Sequence, residues 1–360
     1  MGNDLSRTEA LVRALERYRG QRGFVAVLGS PDPDGLASAW ALKVLARHAG
    51  LEMDILTFEE ISRPDNHRFV QLLDIEFLAV REAFPRRSYR TYAVVDRQNA
   101  RLPVPFPRKL PLVAHIDHHS PTPTPALFRQ QDVSVGSTSS LMAVHLQWLV
   151  EQAPQDPSEM CRLSTALLYG IRTDTLDFVT AGPADLRAAA FLSMHASPEM
   201  TRAIVETPLA PSFLETLAHA IGHKRLDEGF LVAWAGRLGV QNRDVIGQTA
   251  DFLARMAGVR TVVVVGLVSG NFVGSLRSKD PDLDPYAFLD EALASRVGRP
   301  VDCGGRTFSG GFSVPASRLE GSGEEGGFRI LEEALHQGWS RRVAPLRRRP
   351  ARSPRRRKES

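Results

Sequence analysis

The sequence predicts an α/β protein: an N-terminal parallel-sheet domain joined by a helical linker to a smaller α/β domain. Short apolar runs of strand length alternate with stretches of helical spacing, the pattern of strands joined by helical crossovers. From Ser197 to His223 the alternation gives way to a mostly helical stretch, after which it resumes. The 360 residues are 43% hydrophobic, enough for packed cores. The expected division is 1–195 for the first domain, 196–228 for the linker, 229–340 for the second domain and 341–360 for a disordered basic tail.

Leu5 to Tyr18 has helical spacing. Phe24 to Leu28 is an apolar run that ends in Gly29-Ser30-Pro31, a strand entering a turn, and Leu36 to Ala49 is the helix that follows. Met53 to Phe58, Thr91 to Val95 and Leu112 to Ile116 are further strands. Together they predict a parallel sheet covered on both faces. Leu163 to Ile171 and Pro183 to Met194 are helical. In the second domain Phe230 to Ala235 is a strand and Val245 to Met256 a helix. Thr261 to Val268 and Asn271 to Ser278 form a hairpin around Ser269-Gly270. Tyr286 to Val297 and Phe328 to Trp339 are helices that flank the Gly- and Ser-rich stretch Val301 to Pro315.

Ten of the 45 Lys and Arg, but one of the 41 Asp and Glu, lie from Arg341 onward. The other 340 residues carry 35 basic and 40 acidic side chains, so the pI near 9.3 belongs to the tail and a basic catalytic body is not indicated. No apolar run reaches membrane-spanning length, the first residues do not read as a signal peptide, and the two cysteines, Cys161 and Cys303, have no metal-ligand spacing. A cytoplasmic protein with reduced thiols is expected.

Four acidic or imidazole clusters fall at element ends, where open α/β sheets place their sites. Asp32 and Asp34 follow the first strand, and Asp96 follows Val95 directly. Asp117, His118 and His119 follow Ile116, and Asp174 ends the Leu163 helix. Taken singly, each reads as a turn, a cap or a chance triplet. As an ordered set they are hard oxygen and imidazole donors suited to Mn²⁺ or Mg²⁺, and carboxylates at this density repel unless a cation neutralises them. A P-loop is disfavoured because Gly29 to Gly35 lacks Gly-Lys-Ser/Thr. A dinucleotide site is disfavoured because no Gly-x-Gly-x-x-Gly follows the first strand.

The order Pro31-Asp32-Pro33-Asp34, Val94-Val95-Asp96, Asp117-His118-His119 and Gly170-Ile171-Arg172-Thr173-Asp174-Thr175 resembles the N-terminal motifs of the DHH phosphoesterases. In pattern it is nearest the nanoRNase and pAp phosphatase branch, with RecJ exonucleases as cousins. Gly136-Ser137-Thr138-Ser139-Ser140 is similar to the segment downstream of Asp-His-His. Ser275-Leu276-Arg277-Ser278 and Gly304 to Gly311 resemble the associated DHHA1 domain. The likeness runs from about Phe24 to Pro315. Two positions depart from the pattern: Leu28 or Ser30 stands where the family carries a His, and Arg306 where it carries the His of Gly-Gly-His.

The resemblance implies two divalent cations, Mn²⁺ first and Mg²⁺ second, on Asp32, Asp34, Asp96, His118 and Asp174, with Asp96 shared and a water activated between them. Asp117 would orient His118, and His119 would contact the phosphate or protonate the leaving oxygen. Arg277, Ser278, Arg306 and the backbone of Gly304, Gly305, Gly310 and Gly311 would bind substrate in an interdomain cleft. The implied activity is hydrolysis of a nanoRNA, a 3′,5′-bisphosphonucleoside or a linear or cyclic dinucleotide. The competing reading is a catalytically impaired nucleotide-binding or regulatory protein. A long single-strand exonuclease is a third, weakened by the acidic body and by the want of an OB-type module. Weak nucleic-acid contact through the tail and a homodimer complete the expectations.

Overall fold

The structure, a computed structural model, describes residues 2–347 apart from 62, 105, 107, 108, 307 and 320–322, and of residues 2–5, 241, 306 and 344–347 the backbone only. The chain divides into two compact units at Thr207/Pro208.

In the first unit β1 (Arg22–Val27), β2 (Glu52–Thr57), β3 (Leu78–Ala79), β4 (Tyr89–Val95), β5 (Leu112–Asp117) and β6 (Phe128–Gln131) form one six-stranded sheet in the order β3-β2-β1-β4-β5-β6. Every pairing is parallel, as the alternation predicts. The order reverses between β1 and β4, so the carboxyl ends of those strands open a crevice. Seven helices accompany the sheet: α1 (Gly2–Glu16), α2 (Pro33–His48), α3 (Pro64–Leu73), α4 (Thr138–Gln152), α5 (Pro157–Asp174), α6 (Pro183–Ser193) and α7 (Pro198–Val205).

Side chains alternate along β1 with period two. Val25 and Val27 join Leu11, Leu42, Phe69, Leu146 and Leu167 in a core built with helices, while Phe24, Ala26 and Leu28 face the other way. Both faces are covered, as expected, but the second is covered by loop residues among those described. Phe84, Leu102, Val104 and Phe106 pack on Phe24, Tyr89 and Tyr92 there, with Phe24 and Tyr89 5.1 Å apart at an edge-to-face angle.

The second unit holds β7 (Lys224–Asp227), β8 (Phe230–Leu238), β9 (Thr261–Val268), β10 (Asn271–Ser278), β11 (Asp302–Arg306) and β12 (Ser309–Pro315) in the order β11-β12-β10-β9-β8-β7. β8 and β9 are parallel and the other neighbours antiparallel. Helices α8 (Pro211–Gly222) and α9 (Val245–Leu253) pack on one face, α10 (Pro285–Val297) and α11 (Gly323–Arg347) on the other. The stretch 196–228, expected as a linker, contributes α7 to the first unit and α8 and β7 to the second. α11 runs through Arg347, seven residues into the expected tail, and residues 348–360 lie outside the described residues. No helix among the described residues is long and apolar enough to cross a membrane.

The Gly-rich stretch is a strand pair, with Gly304 opposite Gly311 and Gly305 opposite Gly310. A Cβ on Gly305 or Gly310 would lie 3.0 or 2.9 Å from Cβ of Pro285. These two glycines let the start of α10 rest on the hairpin, a packing reason distinct from phosphate approach.

Candidate metal centre

The first turn of α2 begins the site. Asp32 caps the helix, accepting from the Gly35 N–H at 2.9 Å. Asp34 is fully buried, and its two carboxylate oxygens accept from the backbone N–H groups of Thr138 and Ser139, each at 2.7 Å. Those donors open α4, so the positive end of a helix 104 residues further along the chain grips Asp34.

The loop entering α4 is held by Asp185, also fully buried. It accepts from Gly136 N at 2.9 Å, Gly182 N at 2.8 Å and Ser140 Oγ at 2.6 Å. Sequence reasoning passed over Asp185. Its three donors lie at separations no local pattern reports, apart from the Gly182 capping contact. Gly170 of α5 closes the same corner. A Cβ there would stand 2.5 Å from Ser139 Oγ and 3.0 Å from the Asp34 Cα. Gly170→Ala is therefore expected to cost about 1–3 kcal/mol by overpacking, read as a lower melting temperature, and to weaken Mn²⁺ binding in calorimetry because Asp34 is displaced.

Asp96 follows β4 in the left-handed region at φ 51°, an uncommon conformation outside glycine that turns its carboxylate from the strand direction. Thr138 Oγ1 donates to it at 3.2 Å. His118 Nε2 lies 3.4 Å from Asp96 Oδ1 and 3.5 Å from Asp174 Oδ2. That nitrogen is buried and makes no hydrogen bond. One ligand atom each from Asp34, Asp96, His118 and Asp174 falls within 4.8 Å of the others. Three consecutive left-handed residues, Leu176, Asp177 and Phe178, turn the chain away just after Asp174.

The electrostatics are those of mutually repelling, buried carboxylates. Burial, then Asp96, pushes Asp34 up to about 7, against the pull of His118 and Ser139. Burial, then Asp34, Asp32 and Asp96, pushes Asp174 up to about 9. Asp96 is raised by burial and by Asp32. Burial opposes a charged His118, yet Asp96, Asp34 and Asp174 outweigh it and raise the ring to about 9. The donor chemistry suits a hard divalent cation, and the orphaned His118 nitrogen among three carboxylates is the atom such an ion would satisfy.

Two roles differ from expectation. Asp117 was expected to orient His118, but its Oδ1 lies 2.8 Å from His119 Nδ1. Residues two apart at a strand end project to the same side, so the partner is i+2 and not i+1. Burial disfavours the Asp117 carboxylate, but the His119 hydrogen bond and charge win and hold it below the usual range. An ionised Asp117 can only accept, so His119 donates from Nδ1. Asp32 exerts charge on Asp96 and Asp174 but does not belong to the four-residue cluster.

The expected substrate residues of the second unit sit on β10 and the β11–β12 pair. Arg277 Nε donates to Asp251 at 2.6 Å and Nη1 to Ser275 Oγ at 2.9 Å, which holds the guanidinium in one place. The Ser278 hydroxyl is buried between Thr261 Oγ1, at 2.8 Å, and the Asp280 N–H, at 3.0 Å, and so serves the sheet. A Cβ on Gly304 would meet open space, and one on Gly311 would stand 3.1 Å from the Gly274 carbonyl. The Arg306 side chain lies outside what the structure describes.

Fold and site together define a two-unit α/β protein whose parallel sheet carries a carboxylate–imidazole cluster at its topological switch point. The same fold is seen in an exopolyphosphatase-related protein from Bacteroides fragilis, with a TM-score of 0.64 over 95% of this chain and 97% of that one at 13% identity. It is also seen in an exonuclease RecJ bound to manganese, with a TM-score of 0.52 over 95% and 97% at 14% identity. At such identities the likeness is one of fold. No protein-family model matches the chain. In sequence it is similar to an uncharacterized protein of Methanocaldococcus jannaschii, 31% identical over 310 residues, or 85% of this chain. The chain spans 61% of that relative's length.

Proposed function

We propose that this protein is a metal-dependent phosphoesterase of the DHH type, hydrolysing short nucleotide substrates: a nanoRNA, a 3′,5′-bisphosphonucleoside or a linear or cyclic dinucleotide. The observation that carries the reading is the convergence on buried His118 Nε2, which meets no hydrogen bond of good geometry, of Asp96 and Asp174 at 3.4 and 3.5 Å and of Asp34. What sets this nitrogen apart is its company, since carboxylate oxygens of Asp34, Asp96 and Asp174 converge on it within 4.8 Å. The motif order supports the phosphoester class, and the shared folds of an exopolyphosphatase-related protein and a manganese-bound exonuclease agree with it.

Asp34, Asp96, His118 and Asp174 would hold the cation, Mn²⁺ by the first choice and Mg²⁺ by the second. Bound there, a divalent cation polarises a phosphoryl oxygen and lowers the pKa of a water. The chain's own residues do the rest. Asp117 fixes the His119 ring by accepting from Nδ1, which leaves Nε2 for the substrate: the doubly protonated ring would hand its Nε2 proton to the leaving oxygen and be left as the neutral Nδ1–H tautomer. At 42% side-chain exposure His119 is accessible to a substrate. Within the second unit, Arg277, held by Asp251 and Ser275, and the backbone of Gly304 and Gly311 are the candidates for contact with a phosphate.

The test is a panel of 5′-labelled di- to pentanucleotides, 3′,5′-bisphosphoadenosine and cyclic dinucleotides incubated with Mn²⁺. Product release that EDTA abolishes is the expected result. Micromolar binding without turnover across the panel would instead establish the regulatory reading, which the want of an imidazole at Leu28 or Ser30 favours.

A further inference from the structure

The four ligand atoms of Asp34, Asp96, His118 and Asp174, mutually within 4.8 Å, have the spread of a single ion's coordination shell with bonds of about 2.0–2.2 Å. A neighbouring set, Asp96, His118 and His119, reuses two of these residues. Its third member, His119, already spends Nδ1 on Asp117. Further donors for a second ion would have to come from the β1–α2 loop. There Asp32 spends Oδ1 on its helix cap and can offer at most one further carboxylate oxygen, Leu28 is buried in the apolar cluster behind the sheet, and Ser30 is exposed and carries no imidazole. His115 does not fill the gap. It is fully buried, with Nδ1 3.1 Å from Thr124 Oγ1 and Nε2 2.7 Å from the Arg97 carbonyl, so both ring nitrogens are engaged.

What the loop does contain is a guanidinium. Arg97 follows Asp96 directly, and the His115 contact fixes its carbonyl. Its side chain lies over Gly29, where φ is +83° and a Cβ would stand 3.0 Å from Nη1. A larger residue at position 29 would displace it. Among the described residues no hydrogen bond or ion pair engages this guanidinium, although Asp32 shares the loop and Asp96 is its chain neighbour. An exposed Arg with no acceptor among the described residues, next in the chain to Asp96 and lying over the β1–α2 loop, is free to take phosphate oxygens in pairs.

We propose that the centre holds one divalent cation and that Arg97 binds the substrate's phosphoryl group, supplying from the chain the positive charge that a second cation would otherwise bring. The proposal rests on the phosphoesterase reading above, and the experiment separates the two. Full-length protein is titrated with Mn²⁺ by calorimetry, with the bound ion counted by elemental analysis after desalting. Inorganic phosphate is then titrated into the Mn²⁺-loaded protein.

One Mn²⁺ per chain is expected. Arg97→Ala should retain that stoichiometry and Mn²⁺ affinity but weaken phosphate binding by at least about tenfold, the effect of losing a charge-assisted pair. Arg97→Lys should recover part of the loss as a point charge without the fork. Two Mn²⁺ per chain in the wild type would overturn the proposal and leave the phosphoesterase reading standing. No bound Mn²⁺ would overturn both. Unchanged phosphate affinity in Arg97→Ala with one Mn²⁺ bound would overturn the role of Arg97 alone.

Discussion

Asp96→Ala is expected to lower Mn²⁺-dependent hydrolysis by on the order of a thousandfold, the several kcal/mol that a cation contributes to phosphoryl chemistry. Asp96, like His118, belongs to both sets of converging ligand atoms, so its removal takes a ligand from each. Because its carboxylate is buried and raised by its surroundings, removing it relieves repulsion in the cation-free protein. The variant should therefore melt at the same temperature as the wild type, or higher, when both are in EDTA. Asp96→Asn is the companion variant. Asn tolerates the left-handed backbone at φ 51° better than Ala, so a fall in activity common to both separates the lost ligand from a backbone effect. Activity within tenfold of wild type in both would sink the metal-centre reading.

The second large effect is on stability against pH. Asp34 and Asp174 stand near 7 and 9, above their value in the unfolded chain, and His118 stands near 9, above its own. Between about pH 4 and 9 the folded cation-free protein thus binds more protons than the unfolded chain. Stability must then fall as pH rises through that window, by up to about 1.4 kcal/mol per pH unit for each group in transit. Melts in EDTA should move down by several degrees between pH 6 and pH 9, at about 2–4 °C per kcal/mol for a unit of this size.

Saturating Mn²⁺ should reverse the trend, because the cation takes the place of the protons, and its binding should release protons that scale with buffer ionisation enthalpy. Asp174→Asn should flatten the EDTA profile and lose most of the stabilisation by Mn²⁺. A wild-type profile in EDTA that is level or rises from pH 6 to 9 would show that these carboxylates are ionised without a cation.

Much of the first unit was legible because its signals are local. The apolar runs Phe24 to Leu28, Thr91 to Val95 and Leu112 to Ile116 are the buried strands β1, β4 and β5, and a chemistry-bearing residue follows each. Less was legible where a polar or irregular segment is recruited by its surroundings. β6 reads Phe-Arg-Gln-Gln and is a strand because β5 pairs with it. β11 and β12 look like a loop by composition yet pair with each other, with Pro285 resting against Gly305 and Gly310.

Periodicity and order along the chain were enough to place acids and imidazoles at the carboxyl ends of parallel strands, since strand ends are set by local turn chemistry. Which of those groups meet was decided by the tertiary structure. Asp32 and Asp34 are two residues apart, yet one caps its own helix while the other is gripped by the start of α4. Asp117 turns to His119, and Arg97 comes to rest on Gly29. The direction of a side chain depends on the backbone angle at its own residue and on partners up to a hundred residues away, and neither is written in the spacing of a motif.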